Sequence, residues 1–413
     1  MKRSMLLSFI CLLSLVFVFG TITQAKEPVK IGVLTPLTGI VAQGGKEIQY
    51  GIEMAAEEKG SVLGRSIELI VEDTQVKPSL AVSKAEKLVF KDGCSALIGV
   101  FSSGVGLAIA QNIERLNVPF VTTHVMTTKF YNIHDLCFRS GQLANDQTAR
   151  ANVMGILSTP DLRDRSYYVM VHDYAWGYDV AERFIKLAKA NDIEVVNPDY
   201  AKAPIRTKDW SSYITKIKAS GADGVYIDLI TDVIPDFVKQ ARQYGLQAKI
   251  VSGALPGPKA LQACGKDCLG VVAAGDWAWD VDTPISNDWE KRFFEKYDLI
   301  PSDAAAHSYV GAMNLLKAIE RAGSTDAEKI AACLKGVSFE GPYGHVRISA
   351  LDNCMRNSAV LTETKMAPDN PYGAKIYMDV LHTFPWYTIQ RGKLKLEEGK
   401  LQLEEYDKLS PLK

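Results

Sequence analysis

Histidine is scarce in this chain, with six scattered through 413 residues. There is no GxSxG elbow, HExxH pair, P-loop or GxGxxG turn, so the common serine-hydrolase, zinc-protease and nucleotide-binding signatures are missing. Enzyme activity has no positive support, and no cofactor or metal is expected. Excess charge of one sign is also missing, since 47 basic residues face 48 acidic ones. Without a basic patch carrying interleaved aromatics, nucleic acid is not an expected partner. No helix-turn-helix head precedes Val29. After the first 20 residues, no apolar run is long enough to span a bilayer.

The start of the chain is a different matter. Lys2 and Arg3 precede an apolar run from Met5 to Gly20, and Thr23-Gln24-Ala25 ends in a small residue. This is the pattern of a secretory signal peptide, residues 1–25, cleaved after Ala25. Ile10 before Cys11 argues against a lipoprotein site. The mature chain is expected to be exported, soluble and periplasmic. Six cysteines remain in it: Cys94, Cys137, Cys264, Cys268, Cys333 and Cys354. An even number in an oxidising compartment suggests disulfides, and the expected pairs join neighbours: Cys94 with Cys137, Cys264 with Cys268, Cys333 with Cys354. Sequence alone leaves that connectivity open.

Roughly 390 mature residues exceed one ordinary core, so two domains are expected. Val29–Leu34, Ile67–Asp73, Ala96–Gly99 and Val118–Thr122 read as strands alternating with helices. That order implies a parallel sheet covered on both faces. A second series starts at Tyr167–Val171, with further strands at Ile193–Asn197, Gly224–Leu229, Lys249–Ser252 and Gly270–Ala274. The fold class is therefore α/β, two Rossmann-like lobes with parallel sheets and a cleft between them. Gln142 to Asn145 reads as one crossover and Gly275 to Asp280 as another.

Ligands bind beyond the carboxyl ends of such strands. Thr35, Ser102, Ser103, Thr122, Thr123 and His124 sit at those ends. Ser102 and Ser103 lie where the Ala96–Gly99 strand gives way to a helix, so hydroxyls and free N–H groups meet a small anion there. The alternative is that either serine is only a helix N-cap. Asp223, Asp228 and Asp232 cluster near one strand, and a solvated face is the plain reading. Trp277 and Trp279 either face the cleft or pack lobe against lobe.

Taken together, Lys30-Ile31-Gly32-Val33-Leu34, Thr35-Pro36-Leu37-Thr38-Gly39, Val41 to Gly45, Asn112 to Pro119, Gly99 to Ser103, Asp173 to Gly177 and Lys239 to Gly245 resemble the type I periplasmic solute-binding proteins. The branch is that of the leucine/isoleucine/valine-binding proteins, and the match runs from about Val29 to about Gly344. The resemblance implies a receptor for an ABC importer, partnered by an inner-membrane permease and expected as a monomer. It implies a three-segment hinge, with lobe 1 at residues 26–143 and 280–345 and lobe 2 at 144–279 and 346–413. A periplasmic sensor subunit would use the same fold. A periplasmic hydrolase is the remaining alternative.

Carried over by position, the family's carboxylate-binding serine falls on Ser103, and its next ligand loop on Thr122, Thr123, His124 and Met126. The aromatic of the Asp-…-Tyr-Gly turn falls on Trp176, near Tyr174. The family's ammonium-binding tyrosine and glutamate fall on Ile230 and Ala254, and a further tyrosine on Gly44, which opens space. A buried ammonium without a partner is strongly disfavoured. The resemblance, so modified, implies an aromatic or other apolar carboxylate, with a branched-chain amino acid or amide as the alternative.

Overall fold

The computed structural model describes residues 26–279 and 281–385, with the backbone of Leu394–Glu397 and Lys400–Leu403. Residues 1–25, where a leader is expected, the boundary residue 280 and most of the charged tail lie outside the described residues. Lobe 1 contributes β1 (Val29–Thr35), β2 (Ser61–Val62), β3 (Arg65–Asp73), β4 (Ala96–Gly99), β5 (Phe120–Thr122) and β6 (Cys137–Arg139). They lie in the order β2-β3-β1-β4-β5-β6, parallel except where β2 turns back on β3. β4 sits in the middle of this sheet with all four residues buried, which explains its uninterrupted apolar run.

Lobe 2 holds β7 (Tyr167–His172), β8 (Ala201–Ala203), β9 (Gly224–Asp228), β10 (Lys249–Ser252) and β11 (Val272–Gly275). The chain then returns to lobe 1 through the helices Pro284–Tyr297, Asp303–Ala322 and Ala327–Leu334. A small antiparallel sheet follows, built from β12 (Ser338–Gly341), β13 (Gly344–Ile348) and β14 (Met355–Arg356). The chain re-enters lobe 2 as β15 (Ala359–Met366) and β16 (Ile376–Phe384), giving the sheet β16-β15-β11-β10-β9-β7-β8. β15 runs antiparallel to β11, and β16 antiparallel to β15. No described helix is long and apolar enough to cross a membrane.

Three features depart from expectation. Ile193–Asn197 is not a strand. The Asn197 carboxamide accepts from Val169 N and donates to Val169 O, at 2.7 and 2.9 Å, taking ladder bonds that a neighbouring backbone would use. The third crossing falls between Arg356 and Ala359, later than 345/346, because β13 and β14 stay with lobe 1 and Cys354 bridges to Arg139 on β6. A helix at Asn145–Ser158 has no counterpart in the sequence reading. Asn145, Gln147, Thr148, Arg150 and Asn152 are all buried within it, so it shows no polar face to mark its period.

The disulfide pairing needs correction. Cys264 and Cys268 lie at disulfide distance, with Cα atoms 5.8 Å apart. Cys94, Cys137, Cys333 and Cys354 are free thiols. Cys94 precedes β4 and Cys137 lies on β6, with β5 between them. Two strand spacings are about 9.5 Å, beyond the ~7 Å that a disulfide spans between Cα atoms. Cys333 stays on its helix, while the Cys354 thiol donates to Asp352 O at 3.2 Å and lies beside Arg139.

The three crossovers converge on one side chain. Asp276, directly after β11, accepts from Leu143 N of the first crossover at 3.2 Å. It also accepts from the Asn357 amide of the third crossover at 2.8 Å. His307 Nε2, from the lobe 1 helix Asp303–Ala322, lies 2.8 Å from both Asp276 oxygens. Burial works against a charged His307, but Asp276 and then Asp303 outweigh it and raise its pKa. Removing one partner of a buried pair leaves the other uncompensated, at a cost of about 3–5 kcal/mol. Asp276→Ala is therefore expected to lose about that much stability in urea melts. The double variant Asp276→Asn/His307→Gln should lose less than the sum of its single changes, and purely additive losses would contradict the coupling.

Glu47, buried on the helix Ala42–Lys59, generates a pH dependence. Burial raises its pKa to about 7, against hydrogen bonds from Ser302 and Gln43, and Asp232 adds to the rise. Its ordinary value is 4.5, so the folded chain holds a proton that the unfolded chain has released. That contribution is complete below pH 4.5 and is lost as pH rises through about 7. Glu47→Gln should remove it. Relative to that variant, the wild type is expected to lose on the order of 3 kcal/mol between pH 4.5 and 8. Parallel melting curves across that range would refute the assignment.

Candidate functional site

Sheet order reverses at β1, between β3 and β4, and again at β7, between β8 and β9. Crevices open at such reversals beyond the strand carboxyl ends. The two crevices face each other across one cavity of about 440 Å³, within the roughly 300–1,000 Å³ of small-molecule sites. Lobe 1 lines it with loops after β1, β3, β4 and β5, and lobe 2 with loops after β7, β8, β9 and β10.

The β4 loop is held in an unusual backbone. Gly99 has φ +120°, and a Cβ there would lie 2.4 Å from Leu34 O. Val100 follows at φ 67° and donates to Leu34 O at 2.7 Å. A β-branched residue in the left-handed region costs about 1–3 kcal/mol. This turn delivers Phe101 and Ser102 to the cavity. Ser102 takes the N-cap position of the helix Ser103–Ala110, yet its hydroxyl makes no capping bond. Ser103 Oγ accepts from Thr127 N at 3.3 Å, which leaves its proton available to donate. A strand end, two hydroxyls and a helix N-terminus thus meet at one wall.

His124 lies over Phe101, ring centroids 4.4 Å apart and near parallel. Burial, helped by the neighbouring His307, holds its pKa well below the usual histidine range, so the ring is neutral. Asp73 braces the rim by accepting from Leu37 N, Thr38 Oγ1 and Gln75 N at 2.9, 2.7 and 2.9 Å. Lobe 2 supplies flat rings: Tyr174 and Trp176 lie 5.7 Å apart. Trp176 Nε1 donates across the cleft to Met126 Sδ at 3.0 Å. Ile205, Arg206, Ile230, Thr231 and Ala254 complete that side. Among the described residues, no aspartate or glutamate lines the cavity, and Arg206, exposed, is the one formally charged lining residue.

Of the residues singled out from the sequence, Ser102, Ser103, His124, Met126, Tyr174, Trp176, Ile230 and Ala254 line the cavity. Four others do not. Gly44 opens no ligand space, because a Cβ there would meet the Phe101 ring at 2.6 Å. Thr122 Oγ1 donates to Phe138 O, and Thr123 Oγ1 accepts from Ser308. Trp277 is fully buried, donates to Ser286 Oγ at 2.9 Å and meets Trp289 edge-on. Trp279 likewise packs on Tyr372, and Thr35 Oγ1 donates to Gly45 O.

Asp228 is no solvated acid. It is fully buried, both carboxyl oxygens lack partners, and burial pushes its pKa well above the usual carboxylate range. It does not line the cavity, nor does Asp232. The sequence reading missed Gln142, Ile205 and Arg206. Gln142 was absorbed into a crossover, and misplacing β8 hid the loop that carries the other two.

The chain is similar to a Leu/Ile/Val-binding protein homolog of Brucella suis biovar 1, at 27% identity over 86% of this chain and 93% of the relative. A leucine-binding protein from Thermotoga maritima shares the fold with a TM-score of 0.75 at 25% identity, covering 86% of this chain and 99% of that one. A solute-binding protein from R. palustris, solved with 4-hydroxybenzoate, has a TM-score of 0.79 at 23% identity, covering 87% and 97% of the two chains. A family described as periplasmic binding protein matches residues 28–369, and with two lobes facing one cleft the chain belongs to that family.

Proposed function

We propose that this protein is the extracytoplasmic receptor of an ABC importer, capturing a small aromatic or apolar carboxylate by lobe closure. One observation carries the ligand class: a cavity with two serine hydroxyls at a helix N-terminus and flat aromatic walls has no acid among its lining residues. A carboxylate finds donors there, while a free α-ammonium would lie buried without a counter-charge. The leader at 1–25 would export the chain to the periplasm, where it would act as a monomer and dock on a permease. The R. palustris relative holds 4-hydroxybenzoate on the same fold. The Brucella and Thermotoga relatives, named for branched-chain amino acids and leucine, favour a second reading in which the ligand is an amino acid. Titration with benzoate, cinnamate, leucine and 4-methylpentanoate separates the two. Micromolar binding of leucine with the deaminated acids inert would reject the carboxylate reading.

Contacts divided between lobes make the closed state the one that binding favours. Small-angle scattering should therefore show a smaller radius of gyration at saturating ligand, and an unchanged radius would contradict a hinged receptor. Ser102→Ala and Ser103→Ala should each weaken carboxylate binding by about 1.5–3 kcal/mol, while costing no more than about 1 kcal/mol of stability. Kept affinity with lowered stability would assign the serines to capping.

A further inference from the structure

The cavity also contains a neutral polar end that the carboxylate reading does not use. Gln142 and His124 both line it, and each is only 7% exposed. Gln142 Oε1 and His124 Nδ1 have no hydrogen-bond partner. Buried polar atoms without partners are uncommon, and two of them on side chains that line one cavity mark a place where a partner arrives. The Gln142 backbone and the His124 ring are both held in place. Gln142 N donates to Thr123 O at 3.2 Å, on the first crossover and one residue from the Leu143 N–H that Asp276 holds. His124 is clamped between Phe101 at 4.4 Å and His307 at 5.5 Å between ring centroids.

We propose that Gln142 and His124 form a subsite on the hinge side of the cavity that takes an uncharged hydroxyl of the ligand. The inference rests on the carboxylate reading above and narrows it to hydroxylated acids. A carboxamide oxygen needs a donor, and a neutral imidazole offers one donor and one acceptor. A hydroxyl is the smallest group that donates and accepts at once. An ammonium would donate to Gln142 but would find no acid in the cavity lining. A second carboxylate would set an anion against the Gln142 carbonyl oxygen. Because Gln142 belongs to the crossover that Asp276 anchors, the hydroxyl would also touch the hinge directly.

Calorimetric titration of the purified protein with benzoate, 3-hydroxybenzoate, 4-hydroxybenzoate and 4-(aminomethyl)benzoate tests this. At least one hydroxy acid should bind about tenfold or more tighter than benzoate, and the aminomethyl acid should bind more weakly than benzoate. Gln142→Leu and Gln142→Met should each shrink the hydroxyl preference to within about threefold, with melting of the ligand-free variants as the check on folding. Should both variants fail to fold, the wild-type preference decides. Benzoate binding with no gain from a hydroxyl, or a preference that survives both substitutions, would overturn this inference alone. No binding of any benzoate would overturn the aromatic carboxylate reading and this inference together.

Discussion

Asp276 accepts hydrogen bonds from Leu143, Asn357 and His307, so one carboxylate ties all three crossovers to a lobe 1 helix. The two sheets share no strand, and three short segments set how they face each other. If the crossovers moved independently, the crevices beyond β1 and β7 would have no fixed relation. A buried acid with several donors suits this place, because each donor lost leaves a desolvated group unsatisfied. The cost of breaking the knot favours motions that turn the lobes about it and keep it whole.

The same hinge explains why lobe 2 opens with a helix of buried polar residues. Asn145–Ser158 runs from the first crossover under the second sheet, and its start meets both lobes. Asn145 donates to Asp179 at 2.6 Å, while Asp146 accepts from Tyr131 at 2.9 Å. Polar side chains there satisfy one another at the joint between the lobes. The apolar packing of lobe 2 lies alongside, where Phe184 stacks on Tyr226 at 3.7 Å and Val153, Val171 and Leu361 close the space around them.

Strain and satisfaction divide along the cavity. On the lobe 1 wall the backbone departs from favoured regions at Val100 and Val76, both with positive φ and both β-branched. Such residues persist only where neighbours over-determine them, and here the β1 and Asp73 contacts do so. The lobe 2 wall is built from ordinary loops after parallel strands. Lobe 1 therefore offers a rigid polar surface, and lobe 2 brings the rings of Tyr174 and Trp176 against it.

By itself the sequence determined the class of fold, because apolar strand runs alternating with amphipathic helices admit few architectures. It determined the lobe 1 strand ends as well, where short loops tie position in sequence to position in space. That is why Ser102, Ser103 and His124 were legible as cavity residues. The helix Asn145–Ser158 was not legible, since burial on every side removes the contrast that periodicity needs. Nor was the role of Trp277, because an aromatic after a strand reads alike whether it faces a cleft or Trp289. Only the tertiary structure decided that Phe101 fills the space left at Gly44, that Asp228 is buried away from the cavity, and that Gln142 faces into it. Each of those outcomes depends on which distant segment lies within a few ångströms, and local sequence carries no record of that distance.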